Sequence, residues 1–287
     1  MSLFEVVLLG IVQGLAELLP VSSSAHVVVT EKLMRLDPSS PELTLLLVML
    51  HTGTMFAVIV YFWQRWRRTL SESQPVLKQY ILLLIVATVI TGVVGEALIK
   101  VIEKFWFRNA PHAEVEQLFS HLELIAPALA LVGVLIIIAG LLEKSVPADR
   151  ELGGLDTKRA SFIGAIQGLC LPFRGFSRSG ATISTAMLAG VEKVRAEEFS
   201  FALAVILTPP VVAREALRLL KAEHANPVSD LASAAGTSIL GAICAFVAGL
   251  VALKWLSQWL ERGRWYWFGI YCLVAAAGVA WLYHTGY

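Results

Sequence analysis

Ile11-Val12-Gln13-Gly14-Leu15, followed by Glu17 and Pro20-Val21-Ser22-Ser23-Ser24-Ala25-His26, returns in altered form later in the chain. The second version reads Ala165-Ile166-Gln167-Gly168-Leu169, then Pro172, then Gly175-Phe176-Ser177-Arg178-Ser179-Gly180-Ala181-Thr182. Each copy joins an apolar run to a Gln-Gly-Leu, a helix-breaking proline and a cluster of hydroxyls. Ionisable groups stand in or beside both clusters: Glu17, His26, Arg174 and Arg178. Hydrocarbon solvates such groups poorly, so inside a membrane they mark functional sites by default.

The surroundings are hydrocarbon-like. Of 287 residues, 57% are hydrophobic and 16% charged, and the mean hydropathy is +0.71. A soluble domain would carry about a quarter charged residues, so the chain reads as an integral membrane protein. A net charge of +1 gives no footprint for nucleic acid. Cys170, Cys244 and Cys272 lie in apolar stretches and are odd in number, which suits small buried hydrophobes better than a disulfide framework. The start of the chain lacks a basic region and small-residue cleavage site and carries Glu5, Gln13 and Glu17 instead. It is therefore expected to be retained, not removed as a signal peptide.

A spanning helix needs about 20 apolar residues. Six stretches qualify, near 43–63, 79–99, 123–142, 198–220, 232–258 and 265–284. Two more, near 3–34 and 160–190, are apolar but interrupted by Pro20, or by Pro172 and Gly175. Irregular backbone at membrane depth is tolerated only where protein or a water-filled cavity surrounds it. Both stretches are therefore expected to be re-entrant helical hairpins.

Charge placement orients them. Arg65-Trp66-Arg67-Arg68 after the first span marks a cytoplasmic loop. Threading onward puts 100–122 outside and 143–159 inside, with Lys144, Arg150, Lys158 and Arg159; Lys193, Arg195, Arg262 and Arg264 also fall inside. Inside loops then hold twelve Lys/Arg against eight on outside segments. One hairpin with three spans enters from outside and a second such unit from inside. The expected fold is all-α: a single membrane domain, 1–287, built as an inverted-topology repeat of about 1–142 and 155–287, with six transmembrane helices and two re-entrant hairpins. Sites in such folds lie where discontinuous helices meet near the midplane. Pro209-Pro210 is expected to break the fourth span and His51-Thr52-Gly53 holds the corresponding part of the first, so both repeats are expected to keep irregular backbone close to the centre. The eight tryptophans mostly fall near span ends, as an interfacial belt would.

Gln13 and Glu17, four apart, share a helix face. The carboxylate could hold a divalent cation through oxygen, serve as a base, or simply bond across the bundle. Ser22, Ser23 and Ser24 could cap a helix, but three hydroxyls exceed what one cap needs. A serine near His26 could be deprotonated. In the second cluster a guanidinium stands between hydroxyls at a helix start, where backbone N–H groups favour an anion and arginine adds bidentate bonds. Ser177, Arg178, Ser179 and Thr182 thus suit an oxyanion, most plausibly phosphate, against the plainer reading of an arginine capping a neighbouring helix. Arg174 is a second phosphate contact or an exposed charge, and His51 a site residue or a bond across the bundle.

These residues closely resemble the undecaprenyl-pyrophosphate phosphatase, or bacitracin-resistance, family of bacteria. One signature of that family is Glu/Gln-x-x-x-Glu before Pro-Val-Ser-Ser and a histidine, met by Gln13, Glu17, Pro20-Val21-Ser22-Ser23 and His26. The other, Pro-Gly-x-Ser-Arg-Ser-Gly-x-Thr, is met by Gly175, Ser177-Arg178-Ser179-Gly180 and Thr182. Two positions depart from it: Ala25 where many members have glycine, and Arg174 where the proline before the glycine is usual.

The resemblance implies a multi-pass phosphatase of the bacterial plasma membrane with its active site facing outward, hydrolysing undecaprenyl diphosphate to the monophosphate and thereby resisting bacitracin. It implies a divalent cation, Mg²⁺ or Ca²⁺, held near Glu17 and Gln13. Arg178, with Ser177, Ser179, Thr182, Ser22 and Arg174, would bind the diphosphate. Ser23 is the candidate nucleophile with His26 as acid/base; water activated by His26 or Glu17 is the alternative. A homodimer is compatible with this reading. The main rival is a transporter or flippase of the lipid carrier, since inverted repeats with broken helices are a transporter architecture. The other membrane lipid-phosphatase superfamily needs a histidine soon after Ser177-Arg178, and none follows before His224. An intramembrane serine protease needs no arginine-lined anion pocket.

Overall fold

The computed structural model describes residues 1–38, 40–71, 73–106, 121–142, 151–225 and 231–285. Among them ten α-helices follow one another with no strand: α1 Leu3–Leu18, α2 Ser23–Leu33, α3 Pro41–Leu70, α4 Gln74–Trp106, α5 Leu122–Leu141, α6 Thr157–Cys170, α7 Arg178–Leu188, α8 Lys193–Ala225, α9 Leu231–Glu261 and α10 Tyr266–His284. Lys144 and Arg150, used above to orient the chain, and residues 107–120 lie outside the described residues.

Six of these helices (α3, α4, α5, α8, α9 and α10) are long and apolar enough to cross a membrane. The others fall short: α1 has 16 residues, α6 has 14, and α2 and α7 have 11 each, against about 20 for a span. Helix starts are marked locally. Ser2 and Glu5 form a capping box on α1, Ser40 caps α3 ahead of Pro41, and Asp156 caps α6.

Small residues decide which helices touch. Lipid tails are as apolar as leucine, so helices associate through close packing, which glycine permits. Gly10 and Gly14 seat α1 on α9, where an added Cβ would come within 2.8 Å of Gly241 O and 2.6 Å of Ala245 O. In the second copy Gly164 and Gly168 seat α6 on α4, at 2.4 Å from Ala87 O and 2.9 Å from Thr91 O. Gly133 and Gly269 bring α5 and α10 together in the same way.

Three expectations are corrected. Helix α8 runs unbroken through Pro209 and Pro210, and α3 runs unbroken through His51-Thr52-Gly53. In lipid an α-helix that stays continuous satisfies more backbone than one that opens, and neighbouring hydroxyls ease a proline. Here Thr208 Oγ1 donates to Ala204 O at 2.8 Å beside the proline pair, and Thr52 Oγ1 donates to Val48 O at 2.9 Å. Gly53 serves close packing: a Cβ there would lie 2.2 Å from Ala242 O. Finally, Trp265 is no belt residue. It is fully buried, and its indole N–H donates to Ser184 Oγ at 2.9 Å.

Candidate active site

Two chain breaks build the site. Between α1 and α2, Ser22 adopts a left-handed φ of 69° and its hydroxyl caps α2 by accepting from Ala25 N. Between α6 and α7, Gly175 has φ 98°, and a Cβ there would sit 2.5 Å from Ile125 O; glycine is required on both counts. Ser177 caps α7, its Oγ accepting from Gly180 N at 3.3 Å.

The breaks meet. Gly175 N donates to Ser24 Oγ at 3.3 Å, Ser179 Oγ donates to Leu19 O at 3.4 Å, and Arg178 Nη2 donates to Glu17 Oε1 at 3.1 Å. Around this contact lies a cavity of about 320 Å³, near the lower end for small-ligand sites. Such a volume suits a polar headgroup but not a long prenyl chain. Its polar lining includes Gln13, Glu17, Ser22, Ser23, Ser24, Glu31, His51, Gln167, Arg174, Ser177, Arg178, Ser179 and Thr208. Apolar residues of α8, among them Leu207 and Val211, complete one wall.

Glu17 is the hub. Its Oε2 accepts from the Ser23 hydroxyl and from Gln13 Nε2, the latter at 3.3 Å, while Oε1 accepts from Arg178. Glu17 thus orients a serine hydroxyl and offers a place for its proton. Arg178 spends one arm of its fork on Glu17; its Nη1 is buried without a partner, as an oxyanion site requires of a donor. The N–H groups opening α7 add their dipoles on the same side.

Among the residues singled out in the sequence, Gln13, Glu17, Ser22, Ser23, His51, Arg174, Ser177, Arg178 and Ser179 line this one cavity. Two do not. Thr182 lies behind it, donating to Arg178 O at 2.8 Å and pairing with Ser200 Oγ at 2.6 Å, so it fixes the start of α7 from below. His26 turns away: Nδ1 meets Ser22 O at 2.8 Å, and Nε2 meets the Tyr271 hydroxyl at 2.7 Å with the rings stacked. The imidazole lining the cavity belongs to His51, whose Nδ1 is bonded to Leu47 O at 2.8 Å.

Sequence reasoning missed Glu31, Gln167 as a lining group, Thr208, Ser200 and Tyr271. Gln167 was signalled: it is the copy of Gln13, fully buried, donating to Thr91 Oγ1 at 3.2 Å. Tyr271 sits in an unremarkable span and carried no signal.

Fold and site together define a polytopic helical membrane protein with a polar cavity in which a serine hydroxyl, a carboxylate and a guanidinium meet. Its relatives are of the same kind. The family model described as bacitracin resistance protein BacA matches residues 6–278, and the chain belongs to that family. It is 54% identical to Undecaprenyl-diphosphatase 2 of Acinetobacter baylyi over 97% of each chain. It is 34% identical to Undecaprenyl-diphosphatase 1 of Burkholderia pseudomallei, over 96% of this chain and 95% of that one. With Undecaprenyl-diphosphatase of Parabacteroides distasonis the identity is 31% over 96% of each.

Proposed function

We propose that this chain is a membrane phosphatase that converts undecaprenyl diphosphate to undecaprenyl phosphate and orthophosphate, recycling the lipid carrier of cell-wall synthesis and conferring bacitracin resistance. The observation that carries the reading is the meeting of Ser23, Glu17 and Arg178 in one cavity, in a chain 54% identical over nearly its whole length to a protein named for that reaction.

Phosphoryl transfer asks mainly for positioning and for charge stabilisation on the transferred group. Arg178 Nη1 and the first amides of α7 bind the terminal phosphate, with Ser177, Ser179, Ser22 and Arg174 around it. Ser23 Oγ attacks the terminal phosphorus as Glu17 takes its proton. The bond from that phosphorus to the bridging oxygen breaks, and undecaprenyl phosphate leaves. Water then cleaves the phosphoserine, releasing orthophosphate and restoring the hydroxyl. His26, tied to Ser22 O and Tyr271, is assigned to holding the serine turn in place; an acid/base role would require its ring to leave Tyr271.

A divalent cation, Mg²⁺ or Ca²⁺, fits the cavity's chemistry. Carboxylate and amide oxygens of Glu17 and Gln13 are suitable hard donors, and Glu31 contributes a buried carboxylate oxygen with no partner. When bound, such an ion neutralises charge on the phosphate oxygens.

The topology we propose is the inverted repeat, α1–α5 against α6–α10, with α1–α2 and α6–α7 as re-entrant hairpins. Support comes from the shortness of those four helices and from the exchanged packing of α1 on α9 and α6 on α4. The cavity takes Leu47 and His51 from the half of α3 remote from Arg65, Arg67 and Arg68, and takes Ala204 to Val212 from the middle of α8, about three turns beyond Lys193 and Arg195. With those basic ends inside, it opens outward.

The repeat also suits a transporter, but the Ser23–Glu17 bond has no use in one. Purified protein in detergent, given undecaprenyl diphosphate, should release one orthophosphate per lipid. Binding without phosphate release would leave the transporter reading ahead.

A further inference from the structure

Glu31 is 4% exposed, lies on the cavity wall, and its Oε1 has no hydrogen-bond partner. A buried carboxylate in that condition is costly unless it is paired or coordinates a metal. Along α2, Ser24, Val27 and Glu31 all line the cavity; spaced three and four apart, they form one helix face. Eight residues of rise put Glu31 about 12 Å outward of Ser23, and a glutamate leans back toward the start of its helix. A diphosphate with a coordinated cation fills a gap of that order.

Glu17 differs in one respect. Both of its oxygens are already engaged, Oε2 by Ser23 and Gln13 and Oε1 by Arg178. The cavity therefore has one carboxylate bonded to protein donors at both oxygens and another with a buried oxygen that has none. The charged and titratable groups around Glu31 are Arg174, whose charge acts on it directly, and, further along the same cavity, Arg178, Glu17 and His51. A guanidinium offsets charge, yet it has left Oε1 without a donor.

We propose that Glu31 is a ligand of the divalent cation that enters with the diphosphate, an inference that rests on the diphosphatase reading above. Mg²⁺ usually takes one or two protein carboxylates and fills its remaining positions with substrate phosphate oxygens and water. Glu31 supplies such a carboxylate at the outer part of the cavity, so that Glu17 can serve Ser23 and Arg178 while lending the ion at most its remaining lone pair. The site then receives the headgroup as a metal complex, with Glu31 on the ion and the two arginines on the phosphate oxygens.

The test is Mn²⁺ binding by the full-length protein in detergent, followed by electron paramagnetic resonance with methylenediphosphonate as a non-hydrolysable headgroup. Glu31→Gln should raise the Mn²⁺ Kd at least about tenfold, the lower end of what even indirect ligand support is worth. Phosphate release by this variant should be poor at low Mg²⁺ and recover as Mg²⁺ is raised. Glu31→Asp, which keeps the charge on a shorter arm, should weaken Mn²⁺ less than Glu31→Gln; it also serves alone if the glutamine variant aggregates, and an unchanged Kd would then count against the proposal. Normal Mn²⁺ affinity in Glu31→Gln, with wild-type protein releasing phosphate, overturns the Glu31 assignment alone. Wild-type protein that binds Mn²⁺ through Glu31 but releases no phosphate overturns the diphosphatase reading instead.

Discussion

Arg178 and Glu17 lie 161 positions apart in the chain and 3.1 Å apart in space. The contact joins the start of α7 to the end of α1, so a carboxylate from the first copy of the polar motif faces a guanidinium from the second. Neither copy alone makes a site. The first provides the hydroxyl and its carboxylate, and the second provides a guanidinium and a helix N-terminus, groups whose chemistry favours an oxyanion.

Ser23 and Glu17 should behave as a unit. Ser23→Ala should lower kcat for phosphate release at least about a thousandfold, and Glu17→Gln should follow it. The double variant should be little worse than Ser23→Ala, because groups serving one step are strongly non-additive. Steady-state kinetics on the four proteins decides this. A Ser23→Ala enzyme near wild-type activity would transfer the attack to water.

Chelation should stop the reaction. Removing divalent cations with EDTA should bring phosphate release close to background, and adding Mg²⁺ or Ca²⁺ should restore it. Full activity in EDTA would remove the ion from the account.

Packing can be tested away from the chemistry. Gly164→Ala forces a Cβ to within 2.4 Å of Ala87 O, and overpacking of that kind costs about 1–3 kcal/mol. Gly92→Ala, where nothing lies within 4 Å, should be neutral or slightly stabilising, as alanine favours helix. Thermal unfolding in detergent should separate the two; equal melting temperatures would contradict the α4–α6 contact.

Orientation is open to labelling. A membrane-impermeant maleimide on intact cells should modify Glu42→Cys, in the first turn of α3. It should reach Arg67→Cys and Lys158→Cys only after permeabilisation. All three positions are exposed. Labelling of Lys158→Cys in intact cells would reverse the second repeat and undo the inverted topology.

Much of this was legible in the chain because hydrocarbon makes polar residues conspicuous. The six spans follow from run length, and the two interrupted stretches do appear as pairs of short helices, α1–α2 and α6–α7. Glu17, Ser23 and Arg178 stood out as polar groups where few are tolerated, and the structure brings them together. Proline misled: Pro209-Pro210 looks like a break, yet a spanning helix keeps its course because lipid offers its backbone no other partner. His26 was read by its neighbours in sequence, whereas its ring is placed by Tyr271, 245 positions away. Glu31 escaped notice because a lone acid beside Lys32 and Arg35 at a helix end looks like an ordinary interfacial charge; only its burial distinguishes it. One signal was only half used: beside the quoted Gly14 and Gly168, Gly10 recurs as Gly164 at the same offset, and those four glycines set the helix contacts.

The most direct measurement compares orthophosphate release from undecaprenyl diphosphate by the purified wild-type protein, Arg178→Ala and Arg178→Lys. Removing a preorganised donor to a developing oxyanion typically costs about a hundred- to a thousandfold, and Arg178→Ala also removes the partner of Glu17. Its kcat/KM should fall at least that far while the protein stays monodisperse. Arg178→Lys should also be poor, because a point charge cannot reproduce the fork. Near-normal turnover by folded Arg178→Ala would contradict the claim that the two motifs form one diphosphate-hydrolysing site.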